Sequence, residues 1–384
     1  MPKEVIDNKN GKKNIYLLGS SSFFNDIGSE MITPLLPFYI TALGGTGAAI
    51  GLISGLREGL SSVLKFFGGW FSDRIGKRKH IIFSGYLMSV IFRLMLALAN
   101  VWQQVIAFVS LERIGKIRDA PRDAIIASST TKRGKGFGIH QMMDTLGGVV
   151  GTILVIIILW KLNLSLRTII IIAAAISASS LIPLFFVKEK KTKPIRATIF
   201  GSLKNLPKEL YYLIFVASVA ALANFGLYLF LILMAKELTG SIITSLVIYA
   251  LFSIVYASST IPFGSLSDKI GRKKVLLIGY TLFFVLMLAL ISSPSLIFLS
   301  IIFMLYGVVM AITEPTQRAF VSDLAGEAKG TALGAYHSIR GITTIIGGLI
   351  AGLIWDISPG AMFSYLAVIS FISLVLLISL KEKR

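Results

Sequence analysis

The sequence predicts an all-α integral membrane protein with twelve transmembrane helices in two pseudo-symmetric six-helix bundles. Three observations predict it. The 384 residues are 55% hydrophobic and only 15% charged, with a mean hydropathy of +0.80, too little charge to cover a soluble domain. Twelve apolar segments reach or approach the length of about 20 residues that a bilayer requires. A charged, glycine-punctuated loop is spelled out twice, as GWFSDRIGKRK over Gly69–Lys79 and as GSLSDKIGRKK over Gly264–Lys274.

The predicted segments are 14–42, 48–71, 80–99, 101–118, 137–160, 167–187, 209–235, 241–265, 275–293, 296–317, 331–355 and 360–380. Pro34 and Pro37 are expected to kink the first, because proline lacks an amide N–H and its ring blocks the preceding turn. Glu112, Arg113 and Lys116 crowd the end of the fourth. The polar stretch MPKEVIDNKNGKKN precedes a long apolar run without a small-residue cleavage site, so no removable signal peptide is expected. Cysteine is absent, which excludes a disulfide framework, a thiolate metal site and a cysteine nucleophile.

The loops alternate between basic and nearly uncharged. Lys3, Lys9, Lys12 and Lys13 precede segment one; Arg74, Lys77, Arg78 and Lys79 follow segment two; Arg118, Arg122, Lys132, Arg133 and Lys135 follow segment four. Lys188 to Lys208 follow segment six, Lys269, Arg272, Lys273 and Lys274 follow segment eight, and Lys381, Lys383 and Arg384 end the chain. The opposite face has little beyond Lys161, Arg167 and Lys236. Positive residues collect on the cytoplasmic side, so both termini are expected there, in the plasma membrane. The net charge of +19 then orients the chain and faces anionic lipid; this distribution argues against a nucleic-acid partner.

The repetition extends beyond the loop. Asp73 corresponds to Asp268, Arg122 to Arg318, Gly138 to Gly334 and Asp144 to Arg340. The expected division is 1–187 and 209–384, two homologous halves of six helices, with 188–208 as a cytoplasmic linker. Parallel repeats of this kind build one class of transporter around a central site. In the loop itself, Gly76 and Gly271 are expected to take positive φ, and Asp73 and Asp268 to bind amides at a helix N-terminus or to pair with an arginine.

The pattern G-x-x-x-D-[RK]-x-G-[RK]-[RK]-[RK], with its echo after segment eight, resembles the signature loop of the major facilitator superfamily, and the resemblance covers essentially the whole chain. It implies two six-helix bundles that rock about a midplane cavity, usually in a monomer. It also implies a cytoplasmic gate made of Gly69, Asp73, Arg74, Gly76 and Arg78, echoed by Gly264, Asp268, Lys269 and Gly271, with Arg122 nearby. ERIGKIRDAPRDA (112–124), FFNDIGSEMITPLLPFYI (23–40) and HQMMDTLGGVVG (140–151) resemble a prokaryotic branch in which some members are described as multidrug or metal exporters. Two general family patterns are missing: Arg113 lacks the R-x-x-Q-G context, and Thr152 stands where a Gly-Pro pair of antiporters would continue from Gly151.

Ionisable groups inside apolar segments cost several kcal/mol, roughly 2.5–3.5 on insertion scales, and usually face an interior where they function. Asp26 and Glu30 share a face of segment one, four residues apart. Arg57, Glu58 and Lys65 lie on segment two, Arg93 on segment three, Arg113 on segment four, and His140 and Asp144 on segment five. The second half offers Asn224, Glu314, His337 and Arg340. Asp26, Glu30, Arg57, Glu58, Lys65, Arg113, Asp144, Asn224 and Arg340 are the candidate proton-coupling and substrate-cavity residues, with one of the four carboxylates carrying the proton. Structural readings stand beside these: Glu58 with Lys65 as an ion pair, His140 and His337 as solvated or capping groups at helix ends, and Glu112 with Arg118–Asp123 as a cytoplasmic network around Asp73. The glycines of GLREGL, TLGGVVG and IIGGLIAG are expected to allow close helix packing.

Together these features predict a secondary active transporter of a small solute, proton-coupled and without cofactor, with efflux of drugs as one direction and a metabolite importer as another. A divalent metal exporter is the alternative, with Asp26, Glu30, His140 and Asp144 as its ligands. No G-x-x-x-x-G-K-[ST] loop and no H-E-x-x-H or G-x-S-x-G motif is present, which argues against an ATP-driven pump and against an enzyme. A channel would want symmetric pore rings, whereas the two halves differ in charge.

Overall fold

A computed structural model describes residues 9–75, 78–130, 133–189, 206–292, 295–325 and 329–380; within these, the side chains at 9–10, 65–66, 69–75, 133–135 and 329–330 are outside the description. The described chain is helical, and each of the twelve predicted segments is found. The helices are α1 (Lys9–Ile32), α2 (Leu36–Ala42), α3 (Gly47–Ile75), α4 (Arg78–Ala97), α5 (Trp102–Ile114), α6 (Asp119–Ser129), α7 (Arg133–Leu162) and α8 (Leu166–Ala178). They continue with α9 (Leu181–Phe186), α10 (Lys208–Ala221), α11 (Tyr228–Thr239), α12 (Ile242–Ile270), α13 (Arg272–Ala289), α14 (Leu296–Leu324), α15 (Lys329–Trp355) and α16 (Pro359–Ser379). Among the described residues, seven helical stretches are long and apolar enough to cross a membrane. The other five predicted segments are helical as well, several of them interrupted.

The interruptions have local causes. Segment one breaks at the 3-10 turn Thr33–Leu35, where Pro34 supplies no amide hydrogen. Segment four runs further than expected: α5 passes through a 3-10 turn, Gly115–Arg118, into α6. Pro121 sits in the first turn of α6, where a missing N–H leaves no intrahelical bond unmade. Segment seven divides into α10 and α11 without a proline; Gly226 takes φ +92° in the connection, a conformation that favours glycine. Helix starts carry serine caps: Ser165, Ser241, Ser295 and Ser358 each accept from the amide three residues on.

The chain forms two compact units. Unit 1 comprises residues 1–36 and 64–198, and unit 2 comprises 37–63 and 199–384. In unit 1, α1 packs on α7 and α8, and α4 on α5 and α8. Its core includes Ile15, Leu18, Ile82, Tyr86, Ile126 and Leu184. In unit 2, α12 packs on α14, α13 on α14 and α16, and α10 on α15; Leu210, Leu213, Leu276, Phe320 and Tyr336 anchor its core. Large apolar side chains such as Ile261 (81% exposed), Ile297 (75%) and Trp160 (69%) point outward, the arrangement that lipid rather than water stabilises.

Residues 47–63 belong to unit 2 because of glycine. A methyl added at Gly51 would overlap the carbonyl oxygen of Gly348, and one at Gly352 the carbonyl of Gly47. The first half of α3 thus lies backbone to backbone on α15, the close approach that small residues permit in a membrane. Asp356 closes the end of this seam, accepting from the amides of Gly47 at 2.6 Å and Ala48 at 3.0 Å. The expected linker 188–208 falls largely outside the described residues.

Candidate functional site

The second copy of the repeated loop is well defined. Gly271 has φ +99°, as expected of a tight turn. Asp268 pairs with Arg272 at 2.5 Å, Asp323 pairs with the same guanidinium at 3.1 Å, and Arg272 Nη1 donates to Ser267 Oγ at 2.6 Å. Burial alone would lower the Arg272 pKa, but its hydrogen bonds to Asp323 and Asp268 raise it instead. Gly264 stands in open space on α12, and Lys269 is in that helix's last turn. In the first copy, Gly69, Asp73 and Arg74 fall on α3, but their side chains lie outside the described residues, as do Gly76 altogether and the side chain of Lys65. Arg78 and Lys79 are described. Both donate their amides to the Glu189 carboxylate, at 2.6 and 2.9 Å.

One lysine of each copy does the same work. Lys79 Nζ donates to the carbonyls of Phe185 and Val187, at the end of α9. Lys273 Nζ donates to those of Ile378 and Leu380, at the end of α16. Each lysine satisfies orphan carbonyls where the helix dipole favours a cation.

Unit 1 contains two buried polar clusters. In one, Arg93 Nη1 donates to the Asn25 carbonyl at 2.9 Å, to Asn25 Oδ1 at 3.1 Å and to Ser177 Oγ at 2.5 Å, while Nη2 donates to Glu112 Oε1 at 2.9 Å. Arg113 Nε stands 3.0 Å from the second Glu112 oxygen, and Asn25 Nδ2 donates to Asp26 Oδ1 at 3.0 Å. Glu112 was expected in a network with Arg118–Asp123; the structure places it between Arg93 and Arg113 at 5% exposure. A buried carboxylate is tolerated there because both neighbours are cationic.

In the other cluster, Ser22 Oγ meets Tyr86 Oη at 2.8 Å, His140 Nε2 at 3.0 Å and Arg122 Nη1 at 3.1 Å. His140 Nδ1 lies 3.5 Å from Asp144 Oδ2, and Asp144 Oδ1 is buried without a hydrogen-bond partner among the described residues. Arg122 also pairs with Asp119 and Asp123, and the Arg118 guanidinium lies 4.2 Å above the Tyr86 ring. His140, expected to be solvated or capping, is 4% exposed, because Ser22 and Asp144 supply partners that make its burial affordable. Glu30 lies against Gly148. Among the described residues no group of three or more His, Asp or Glu side chains could hold a metal ion, so Asp26, Glu30, His140 and Asp144 do not assemble into a metal site.

Unit 2 contains a cavity lined by Asn224, Tyr280, Phe283, Thr313, Gln317 and Arg340, with small residues of α10 and α16. Two predicted residues, Asn224 and Arg340, thus share one lining. Tyr306 Oη donates to Asn224 Oδ1 at 2.7 Å, Gln317 Nε2 donates to Tyr280 Oη at 2.9 Å, and Tyr336 Oη donates to Gln317 Oε1 at 2.7 Å. Glu58 accepts from Tyr228 Oη at 3.1 Å, and Glu314 accepts from Tyr256 Oη at 3.0 Å. Arg57 is 6% exposed beside Glu58 on α3. Ser54, one turn before Glu58, donates to the Gly226 carbonyl at 2.6 Å and ties α3 to the α10–α11 connection.

A search for charges within apolar segments overlooks the tyrosines, serines and glutamine of these networks. One sequence signal exists: Gly85-Tyr86 and Gly279-Tyr280 are the same dipeptide at matching places in the two halves. Each tyrosine ends a buried triad, Tyr86–Ser22–His140 in unit 1 and Tyr280–Gln317–Tyr336 in unit 2.

Comparison with known proteins agrees with this architecture. The family model described as Major Facilitator Superfamily matches residues 18–210 and 213–384. An uncharacterised MFS-type transporter of Methanocaldococcus jannaschii is 46% identical over 379 residues, covering 95% of this chain and 94% of that protein. The multidrug resistance protein MdtG of Proteus mirabilis is 26% identical over 394 residues, covering 96% of each. Among solved structures, a mutant of the nucleoside transporter NupG superposes with a TM-score of 0.83 at 14% identity, covering 96% of this chain and all of that one.

Proposed function

The chain belongs to the Major Facilitator Superfamily, a family of membrane transporters rather than enzymes, and from that premise we propose that it moves a small solute by alternating access, coupled to protons, as a monomer in the plasma membrane. The alternation of basic and uncharged loops supports cytoplasmic termini, and the repeated loop supports a division into 1–187 and 209–384 joined by 188–208. In the same reading, Asp73 and Arg74 latch the first copy of the loop and Asp268 its echo.

One observation carries the coupling. Asp144 is a membrane-segment carboxylate with one oxygen buried and without a hydrogen-bond partner among the described residues, and the other 3.5 Å from His140. An orphaned carboxylate oxygen is the natural seat for a proton. His140, Ser22 and Tyr86 extend from it as a line of groups able to donate and accept. Arg122, bonded to Ser22, is the cation whose approach or withdrawal would bias the proton's release. Asp26, Glu30 and Glu58 are the further carboxylates of the candidate set, and Arg113, already paired with Glu112, holds its cluster together rather than serving as a free switch. The likeness to MdtG supports efflux of drug-like molecules as the direction; uptake of a metabolite by the same coupling is the second reading. The lack of a three-ligand group among the described residues disfavours a metal as the solute.

The test uses the full chain in liposomes containing a pH-sensitive dye. Addition of a transported solute should change internal pH in wild type, and Asp144→Asn should abolish that change while leaving the protein folded. If pH-driven flux survives neutralisation of Asp26, Glu30, Glu58 and Asp144 together, the proton is not the coupling ion.

A further inference from the structure

The hydrogen bonds around the unit 2 cavity do not balance. Arg340 has five N–H donors and a full charge, and among the described residues its side chain makes no hydrogen bond or ion pair. Glu314 and Glu58 act on it electrostatically, yet each has given an oxygen to a tyrosine, Tyr256 and Tyr228 respectively. Asn224 accepts from Tyr306 on its carbonyl oxygen, and among the described residues its amide nitrogen meets only the Met310 sulfur, at 3.3 Å, a weak acceptor. Tyr280 Oη accepts from Gln317 and keeps its own hydrogen for another partner. Thr313 Oγ1, which also lines the cavity, has donated to its own helix, to the Val309 carbonyl. What remains on the lining is a guanidinium, an amide N–H and a phenolic O–H, none of them hydrogen-bonded to an acceptor oxygen among the described residues.

Donors without a protein acceptor are costly in a membrane-embedded site. The missing partner is an acceptor with negative charge. Its size and charge are constrained. A planar carboxylate matches the guanidinium fork in two parallel hydrogen bonds. A doubly charged phosphate would meet one arginine against two nearby carboxylates. Phe283 offers an apolar wall beside the charge. We propose that this cavity binds the carboxylate of a small organic monoacid, with Arg340 as its counter-ion and Asn224 and Tyr280 as orienting donors. The inference rests on the transporter reading only in taking the bound acid to be the solute carried.

The test titrates the purified full chain calorimetrically with acetate, lactate and benzoate, each against its uncharged amide. At least one acid should bind, and its amide should bind about tenfold more weakly or worse, the loss expected when a charge-assisted pair is removed. Arg340→Gln should weaken the acid by a similar factor, and Arg340→Lys by less, while both melt at wild-type temperature. If no acid binds more tightly than its amide, or if Arg340→Gln retains full affinity, the proposal fails. Chloride or phosphate competing as well as the acids do would make this an inorganic anion site and would also overturn it. Labelled acid in liposomes separates the two readings. Arg340-dependent binding without flux would sink the transporter reading alone. Flux of another solute, unaffected by Arg340→Gln, would sink the acid site alone.

Discussion

Asp144 and Arg340 occupy equivalent places in the two halves of the sequence, yet their surroundings differ in kind. In unit 1 three buried or half-buried arginines have found carboxylates: Arg93 and Arg113 share Glu112, and Arg122 spans Asp119 and Asp123. In unit 2 the arginine is left open and tyrosines hold the carboxylates. The tyrosine triads place Tyr86 and Tyr280 at matching helices and end on α7 and α15, but their middle members, Ser22 of α1 and Gln317 of α14, come from different segments of the two halves. The buried charges differ between the halves, closed pairs in one and a cavity lined by hydrogen-bond donors in the other. Closed pairs fix a structure, whereas open donors invite a ligand. Both units cohere through glycine-lined close approaches, Gly147 and Gly151 of α7 against α1 in unit 1 and 47–63 against α15 in unit 2, and unit 1 adds its buried ion pairs.

The contrast makes its largest prediction at Glu112. Glu112→Ala strands Arg93 and Arg113 in a buried site, and breaking a buried pair from one side costs about 3–5 kcal/mol. Thermal unfolding in detergent should show a large drop in melting temperature. A shift of a degree or two would mean that unit 1 does not depend on its ion pairs, and the contrast would lose its first half. Next comes the seam. Gly51→Val forces a branched side chain against the Gly348 carbonyl, and overpacking of this kind costs ~1–3 kcal/mol. Melting should fall by less than for Glu112→Ala, and solute flux should fall with it. Full flux in Gly51→Val would show that close approach along the seam is dispensable.

Asp356→Ala is a gentler probe of the same seam. Its carboxylate caps the first two amides of α3, and loss of such a cap costs about 1 kcal/mol. Hydrogen exchange should quicken at Gly47 and Ala48 and leave α7 untouched. Unchanged exchange at those two amides would remove the cap from the account of unit 2.

Much of this was legible in the sequence, and what was hidden has a common cause. Apolar runs and loop charge reveal segments because a bilayer punishes polarity over about 20 residues. Pro34 announced the break in segment one through its missing donor. The break between α10 and α11 carried no proline, only Asn224 and Gly226, and tertiary contacts such as Ser54 to Gly226 decide it. Arg118, Asp119 and Arg122 read as loop because their charge suggests water, but they lie within a continuing helix whose burial is met by mutual pairing. His140 misled in the same way. Arg340 and Asn224 stood out as polar groups in apolar surroundings. Their partners Tyr306, Gln317 and Tyr280 did not, since no hydropathy scale singles out a tyrosine whose hydroxyl has a specific task.

The smallest expected effect is the sharpest. Arg340→Gln removes a full charge from the membrane region of unit 2, and intuition trained on Glu112 would expect collapse. The physics points the other way. Truncating one partner of a pair leaves the other charge buried and uncompensated, but Arg340 makes no hydrogen bond or ion pair among the described residues that its loss would strand. Glu314 and Glu58 act on Arg340 without pairing with it, and each keeps its tyrosine partner when the charge is removed. Stability should therefore stay within about 0.5 kcal/mol of wild type, as for substitutions that break no network. The measurement is the same thermal unfolding used for Glu112→Ala, on the same day and in the same detergent. Equal and large losses in the two variants would mean that Arg340 is paired as firmly as Arg93, and the cavity would then be a structural network like those of unit 1. A flat result at Arg340 beside a collapse at Glu112 would assign the two arginines different work, one holding the fold and the other waiting for an anion.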